Sequence, residues 1–126
     1  QEVPKIAAAI GHFESGGNYG AIGPGTRDGD RALGKYQVMS KNVPSWTKEV
    51  LGRSMTPQEF LNDPEAQDAV AHYKMGQAYM KHGTLDDVAS IWFSGQPASG
   101  NNRKDVNNTS VPQYVARTKD IYRSIG

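Results

Sequence analysis

The sequence predicts an α+β domain that is mostly α, with a small irregular or β lobe between its first and second helices. Three observations carry this. Apolar residues recur at helical spacing through residues 4–14, and again from residue 42 to the end of the chain. Between these stretches, residues 16–34 hold seven glycines in 19 positions, with Pro24 and an Asp28-Gly29-Asp30 run, and no helical period survives. The chain is 126 residues long, the size of one domain, and shows neither a repeat nor a change of composition, so residues 1–126 read as a single domain.

The elements follow in order. Pro4 suits the first turn of helix 4–14, Ile6, Ala9, Ile10 and Phe13 form its apolar stripe, and Gly16-Gly17 stops it. Residues 16–34 read as loops with a short hairpin, and Lys35 to Met39 as a short strand. Asn42 is placed to cap a helix carrying Pro44, Trp46 and Val50, closed by Gly52. Thr56-Pro57-Gln58-Glu59 is a capping box with proline at the first helical position. Asp63-Pro64 opens the longest helix, whose stripe reads Ala66, Ala69, Val70, Tyr73, Gln77 and Met80, and which ends at Lys81, His82 and Gly83. Thr84 caps the next helix, with Leu85, Val88, Ala89 and Trp92 inward and Gly95 as its stop. Residues 96–109 are polar and read as a loop, including the two Asn-x-Thr/Ser matches at Asn107 and Asn108. Ser110 with Gln113 caps the last helix, where Val111, Tyr114, Val115, Thr118, Ile121, Tyr122 and Ile125 share a face. A deep groove is expected where the glycine-rich lobe meets the helices.

Composition narrows the chemistry. The net charge of +1, from 14 basic and 13 acidic residues, offers no dominant basic patch, which argues against nucleic acid as a partner. No apolar run is long enough for a membrane span, and no signal peptide is evident; a chain beginning at Gln1 reads as a mature protein or an excised domain. With no cysteine, thiol catalysis and disulfides are excluded. His12, His72 and His82 are scattered without ligand spacing, so no metal and no cofactor are expected. No Gly-x-Ser-x-Gly elbow is present, and the glycines follow a helix rather than a strand, so neither a nucleophilic serine nor a phosphate loop is indicated.

Carboxylates remain. Glu14 ends the first helix at the edge of its apolar stripe. A glycosidic bond breaks when its leaving oxygen is protonated, which requires an acid still holding a proton near neutral pH. A carboxyl between an apolar stripe and a groove is desolvated, which raises its pKa. A helix-terminal glutamate facing water is the plainer reading, and periodicity leaves both open. Tyr19, Tyr36, Gln37, Trp92, Phe93, Gln96, Asn101, Asn102 and Tyr114 could line a sugar-binding groove, or equally fill a core.

Four segments resemble one family. Glu14-Ser15-Gly16-Gly17 looks like the Glu-Ser motif of the soluble-lytic-transglycosylase-like domains, which are related to goose-type lysozymes. Gly34-Lys35-Tyr36-Gln37-Val38-Met39 is similar to that family's Gly-Leu-Met-Gln-Ile-Met segment, Ile91-Trp92-Phe93-Ser94-Gly95 to its Ala-Tyr-Asn-Ala-Gly segment, and Tyr114-Val115 to its Tyr-Val. The order and rough spacing agree over nearly the whole chain. Lys35 stands where the family has leucine, and Phe93 where it has an asparagine that contacts substrate.

The resemblance implies a lysozyme-like fold with a substrate groove and a single catalytic domain. It implies cleavage of the β-1,4 bond between N-acetylmuramic acid and N-acetylglucosamine in peptidoglycan, with formation of a 1,6-anhydro product. Glu14 would act as acid and then base. Ser15, Tyr36, Gln37, Trp92, Phe93 and Tyr114 would contact the sugar or hold the carboxyl. The partner would be peptidoglycan strands or related N-acetylglucosamine polymers, met by a monomer or a domain of a larger protein in the periplasm, the cell envelope, a secreted form or a phage virion. Gly29-Asp30-Arg31 looks more like the goose-type lysozymes, where an aspartate in this loop helps water attack. Asp30 or Asp28 is therefore a candidate second carboxylate for a water-using hydrolase, a lysozyme or chitinase. A non-catalytic glycan-binding module is the third alternative.

Overall fold

The computed structural model describes residues 2–105 and 107–125. Gln1, Val106 within the predicted 96–109 loop, and Gly126 at the end of the expected domain lie outside the described residues. The architecture is mostly helical with one small sheet. Helix α1 (Glu2–Ser15) is followed by strands β1 (Ile22–Gly25), β2 (Arg31–Leu33) and β3 (Val38–Met39). After a 3₁₀ turn at Ser40–Asn42 come α2 (Val43–Leu51), α3 (Pro57–Leu61), α4 (Pro64–His82), α5 (Leu85–Ser94) and α6 (Val111–Ile125).

The strands form an antiparallel meander in the order β1-β2-β3. Ile22 pairs with Leu33 and Gly25 with Arg31, with an irregularity between them, while Ala32 pairs with Met39 and Leu33 with Val38. The third strand is shorter than the expected 35–39 segment. Gly34 to Gln37 make a turn instead, closed by the Gln37 N–H on the Gly34 carbonyl at 3.2 Å. Gly34 sits at φ +78°, and a Cβ there would lie 2.1 Å from Gln67 Oε1, so only glycine fits.

The core explains why α1 can place its last turn against the sheet. Ile6, Ala7, Ala9, Ile10 and Gly11 are buried on α1. Gly11 lets the 34–37 turn approach, because a Cβ there would meet Lys35 Cε at 2.9 Å and the Tyr36 ring at 3.2 Å. Leu33, Tyr36 and Val38 join Val43, Phe60, Val70, Met75 and Val88 in the main apolar cluster. A smaller cluster of Ala89, Val111, Tyr114 and Val115 joins α5 to α6, with Phe13 of α1 and Phe93 packed on it. α1 thus lies between α4 and α6, and α5 also contacts both.

The expected caps at Thr56, Asp63, Thr84 and Ser110 form. Thr56 and Glu59 bond reciprocally, and Asp63 and Thr84 accept from the N–H groups of Ala66 and Asp87. Ser110 N–H donates to Gln113 Oε1 at 2.8 Å, and Ser110 Oγ accepts from Gln113 N–H at 3.3 Å. Asn42 differs: its side chain makes no cap bond, because the 3₁₀ turn leads straight into α2 and already occupies that position with helical backbone. The inward face of α4 also differs. Ala66, Gln67, Val70, Ala71, Met75 and Ala78 are buried, whereas Tyr73 and Met80 are 44% and 88% exposed. Three of these six buried residues are alanine, and four other helices, α1, α2, α3 and α5, contact α4. Ile125 at the end of α6 is likewise exposed. Among the described residues, no helix is long and apolar enough to cross a membrane.

Candidate active site

An open cleft of about 600 Å³ lies between the sheet and the helices. The last turn of α1 contributes Phe13 and Glu14, the sheet and its turn contribute Gln37 and Met39, and α5 contributes Trp92 and Phe93. Tyr114 of α6 and the loop residues Asp105 and Thr109 complete the wall.

Glu14 is half-buried, and its Oε2 accepts a 2.7 Å hydrogen bond from the Tyr114 hydroxyl. Burial pushes the Glu14 carboxyl up to about 7; the Tyr114 hydrogen bond pulls the other way, and the nearby charge of Asp105 adds to the rise. Tyr114 is fully buried, and burial together with the Glu14 charge holds its phenol well above the usual tyrosine range, so it stays a donor. Its ring is fixed on two sides. Phe93 stacks at 4.4 Å and 22°, and Phe13 meets it edge-on at 4.9 Å and 81°. A titrating acid at the end of one helix is thus clamped by a phenol from another, whose orientation is set by aromatic packing.

Gln37 reaches the cleft from a left-handed backbone, φ +58°, which is uncommon for a residue with a side chain. Its own Nε2 donates to the Gly34 carbonyl at 3.0 Å and stabilises that turn. Trp92 donates Nε1–H to the Tyr36 carbonyl at 3.0 Å, tying α5 to the turn beneath Gln37. Trp92 also borders a second cavity of about 330 Å³ between α2, α4 and α5. That cavity is mostly apolar and has no carboxylate on its wall.

Other expected site residues lie elsewhere. Ser15 does not line the cleft; its hydroxyl donates to the Lys35 carbonyl at 2.7 Å and accepts from Asn18 N–H, which pins the end of α1 to the 34–37 turn. Tyr36 is 2% exposed and turns into the core, where its hydroxyl donates to Asp68 Oδ1 at 2.6 Å. Tyr19 donates to the same carboxylate at 2.8 Å. Burial and the Asp68 charge raise both phenols above their usual range. Asn101 folds back onto Ser94 Oγ at 2.9 Å, and Gln96 and Asn102 are exposed outside the cleft.

Asp28 and Asp30 are not brought to Glu14. Both border a separate depression with Ser40 and Lys41. Asp30 is 7% exposed, and its Oδ1 accepts from Ser40 Oγ at 2.7 Å and from Lys41 N–H at 2.9 Å. It ties the tip of the β1–β2 hairpin to the 3₁₀ turn. Asp28 hydrogen-bonds to Thr26 within the hairpin, which with the Asp30 backbone N–H holds its carboxyl below the usual range. Hairpin-tip chemistry accounts for both carboxylates.

Sequence reasoning misses Asp105, which reads as ordinary loop. The available signal was an aspartate followed by Asn107, Asn108 and Thr109, immediately before the capped helix that carries Tyr114. It also missed Gln67 and Asp68, which hold the 34–37 turn from α4: Gln67 Oε1 accepts from Lys35 N–H at 2.9 Å, and its Nε2 donates to the Tyr19 carbonyl at 3.0 Å. Among the described residues, no group of three His, Asp or Glu side chains is placed to hold a metal ion.

No protein-family model matches the chain, and no curated protein or solved structure shows significant similarity to it.

Proposed function

We propose that the chain is a peptidoglycan-cleaving lytic transglycosylase with a lysozyme-like fold, and that the cleft at Glu14 is its substrate groove. One observation carries the reading: a cleft-wall carboxyl raised to about 7 and clamped by a buried phenol. Such a group is protonated often enough to act as an acid and basic enough afterwards to take a proton back.

The reaction then needs one carboxyl. Protonated Glu14 gives its proton to the oxygen between N-acetylmuramic acid and N-acetylglucosamine as the bond from that oxygen to the anomeric carbon breaks. The substrate's own N-acetyl oxygen shares the positive charge left on that carbon. The Glu14 carboxylate removes the proton from the 6-hydroxyl, whose oxygen closes on the anomeric carbon as a 1,6-anhydro ring. Tyr114 donates to the carboxylate between the two steps. Trp92 and Phe93 offer apolar faces to sugar rings, and Gln37 offers amide groups to their N-acetyl substituents. The natural partner on this reading is the glycan strand of a cell wall, met in the periplasm or envelope, outside the cell, or from a phage virion.

A second reading is favoured by Asp105 on the same cleft wall. An inverting hydrolase needs a second carboxylate roughly 6.5–9.5 Å from the acid to activate water. The mass of the released muropeptides separates the two readings. Anhydro products, lighter by one water than reducing-end products, are expected; reducing-end products from the outset would replace the transglycosylase by a hydrolase of the same fold.

A further inference from the structure

We propose that Asp105 is a second working carboxylate of the cleft, whose charge stabilises the cationic sugar formed when Glu14 gives up its proton. The inference rests on the glycan-cleaving reading of Glu14 and assigns a role to a residue that the one-carboxyl mechanism does not use.

The local structure builds the carboxylate into place. Asp105 Oδ1 accepts from the backbone N–H groups of Asn107 and Thr109, both at 2.9 Å. The Asp105 N–H donates to the Thr109 carbonyl at 3.0 Å, and Asn108 N–H donates to the Asp105 carbonyl at 3.0 Å. Asn108 takes the left-handed backbone that closes such a turn, and a bridge between Lys104 and Ser110 joins its ends. One oxygen of the carboxylate therefore fixes its position. The other, Oδ2, has no hydrogen-bond partner among the described residues, although Asp105 lies on the wall of the cleft that holds Glu14.

The charges around the reacting position favour an electrostatic role. The titratable groups on the described cleft wall besides Glu14 are Tyr114 from α6 and Lys104 and Asp105 from the loop; the sheet and α5 present none. Glu14 starts the reaction protonated and Tyr114 is neutral. Asp105 is then the one wall residue able to offer a negative charge as positive charge develops on the anomeric carbon. A fixed charge aimed at developing charge lowers the barrier without reorganisation. The same negative charge acts on Glu14 by favouring its protonated form.

Asp105→Asn tests this, because the amide oxygen can keep both backbone bonds while the charge is removed. Cleavage of purified peptidoglycan should fall roughly 10–100-fold, chiefly in kcat rather than KM. The high-pH limb of the rate profile should move to lower pH, since Glu14 loses the neighbour that favours its proton. A variant within twofold of wild type with an unmoved limb would reduce Asp105 to a turn residue and overturn the proposal. Glu14→Gln, measured alongside, tells which idea failed: an inactive Glu14→Gln with a normal Asp105→Asn leaves the glycan-cleaving reading standing. If wild type releases reducing-end products and Asp105→Asn abolishes them, Asp105 activates water instead, and the proposed role is overturned. Should Asp105→Asn melt several degrees early, the comparison is repeated at a lower temperature at which circular dichroism shows both proteins fully folded.

Discussion

Tyr114 donates its phenolic hydrogen to Oε2 of Glu14 over 2.7 Å, joining helices whose contributing residues are one hundred positions apart in the chain. The bond favours the carboxylate, while burial favours the acid, and burial is the larger effect. Replacing Tyr114 by Phe keeps the ring between Phe93 and Phe13 and removes only the donor. The proton affinity of Glu14 should then rise. Wild-type activity should fall as pH increases through about 7, and in Tyr114→Phe that fall should sit at higher pH. The variant should retain part of its rate, because Tyr114 orients and stabilises the carboxyl but neither gives nor takes the proton. Rate profiles of the two proteins on the same cell-wall substrate check this.

The raised carboxyl also has a consequence for stability. The native state holds the Glu14 proton more tightly than the unfolded chain, whose glutamate titrates near 4.5. Its contribution is intact below 4.5 and is lost as pH rises through about 7, since ionisation is then harder in the fold than in the open chain. Glu14→Gln abolishes this penalty. The variant should be more stable than wild type at pH 8, by on the order of 3 kcal/mol, and equal to it near pH 4. Urea melts at the two pH values give the difference directly. A Glu14→Gln protein no more stable than wild type at pH 8 would place the carboxyl in water.

Asp30 should behave as a structural group. Its Oδ1 holds Ser40 Oγ and Lys41 N–H while 7% of the residue is exposed. Asp30→Ala leaves both donors without that acceptor and should cost on the order of 1–3 kcal/mol. Wall cleavage per folded molecule should change by no more than a few-fold, as read by turbidity clearing at a temperature where the variant is fully folded. A loss of roughly 100-fold or more in folded protein would instead make Asp30 a catalytic base.

The legible parts of the chain were those governed by local rules. Proline at first turns, the Thr56–Glu59 capping box and the glycines after α2, α4 and α5 fixed most helix ends within a residue or two. Periodicity puts Glu14 at the margin of an apolar stripe but leaves open whether it faces water; its burial against Tyr114 is a tertiary outcome. Tertiary choices were not legible. Tyr36 turns into the core and Tyr19, part-buried, meets it at Asp68, which lies on a helix far along the chain and accepts from both. Ser15 donates to the Lys35 carbonyl, twenty positions on, and so joins the end of α1 to the 34–37 turn. Asp30 looked like a free loop acid, yet the short β2–β3 connection carries Ser40 and Lys41 back onto it. Asp105 looked equally plain, and its place on the wall of the cleft is a tertiary outcome. The partners of Ser15, Tyr36 and Tyr19 lie twenty or more positions away, beyond any sequence window.

Glu14→Gln, assayed for release of soluble muropeptides from purified cell walls near neutral pH, tests the central claim most directly. The amide preserves the shape of the side chain and can still accept the Tyr114 hydroxyl, but it has no acidic proton to give. Loss of a general acid predicts a rate at least ~100-fold below wild type, in a protein whose far-ultraviolet circular dichroism is unchanged and which still melts cooperatively, no earlier than wild type. Wall cleavage at the wild-type rate by that folded variant would contradict the account at its root.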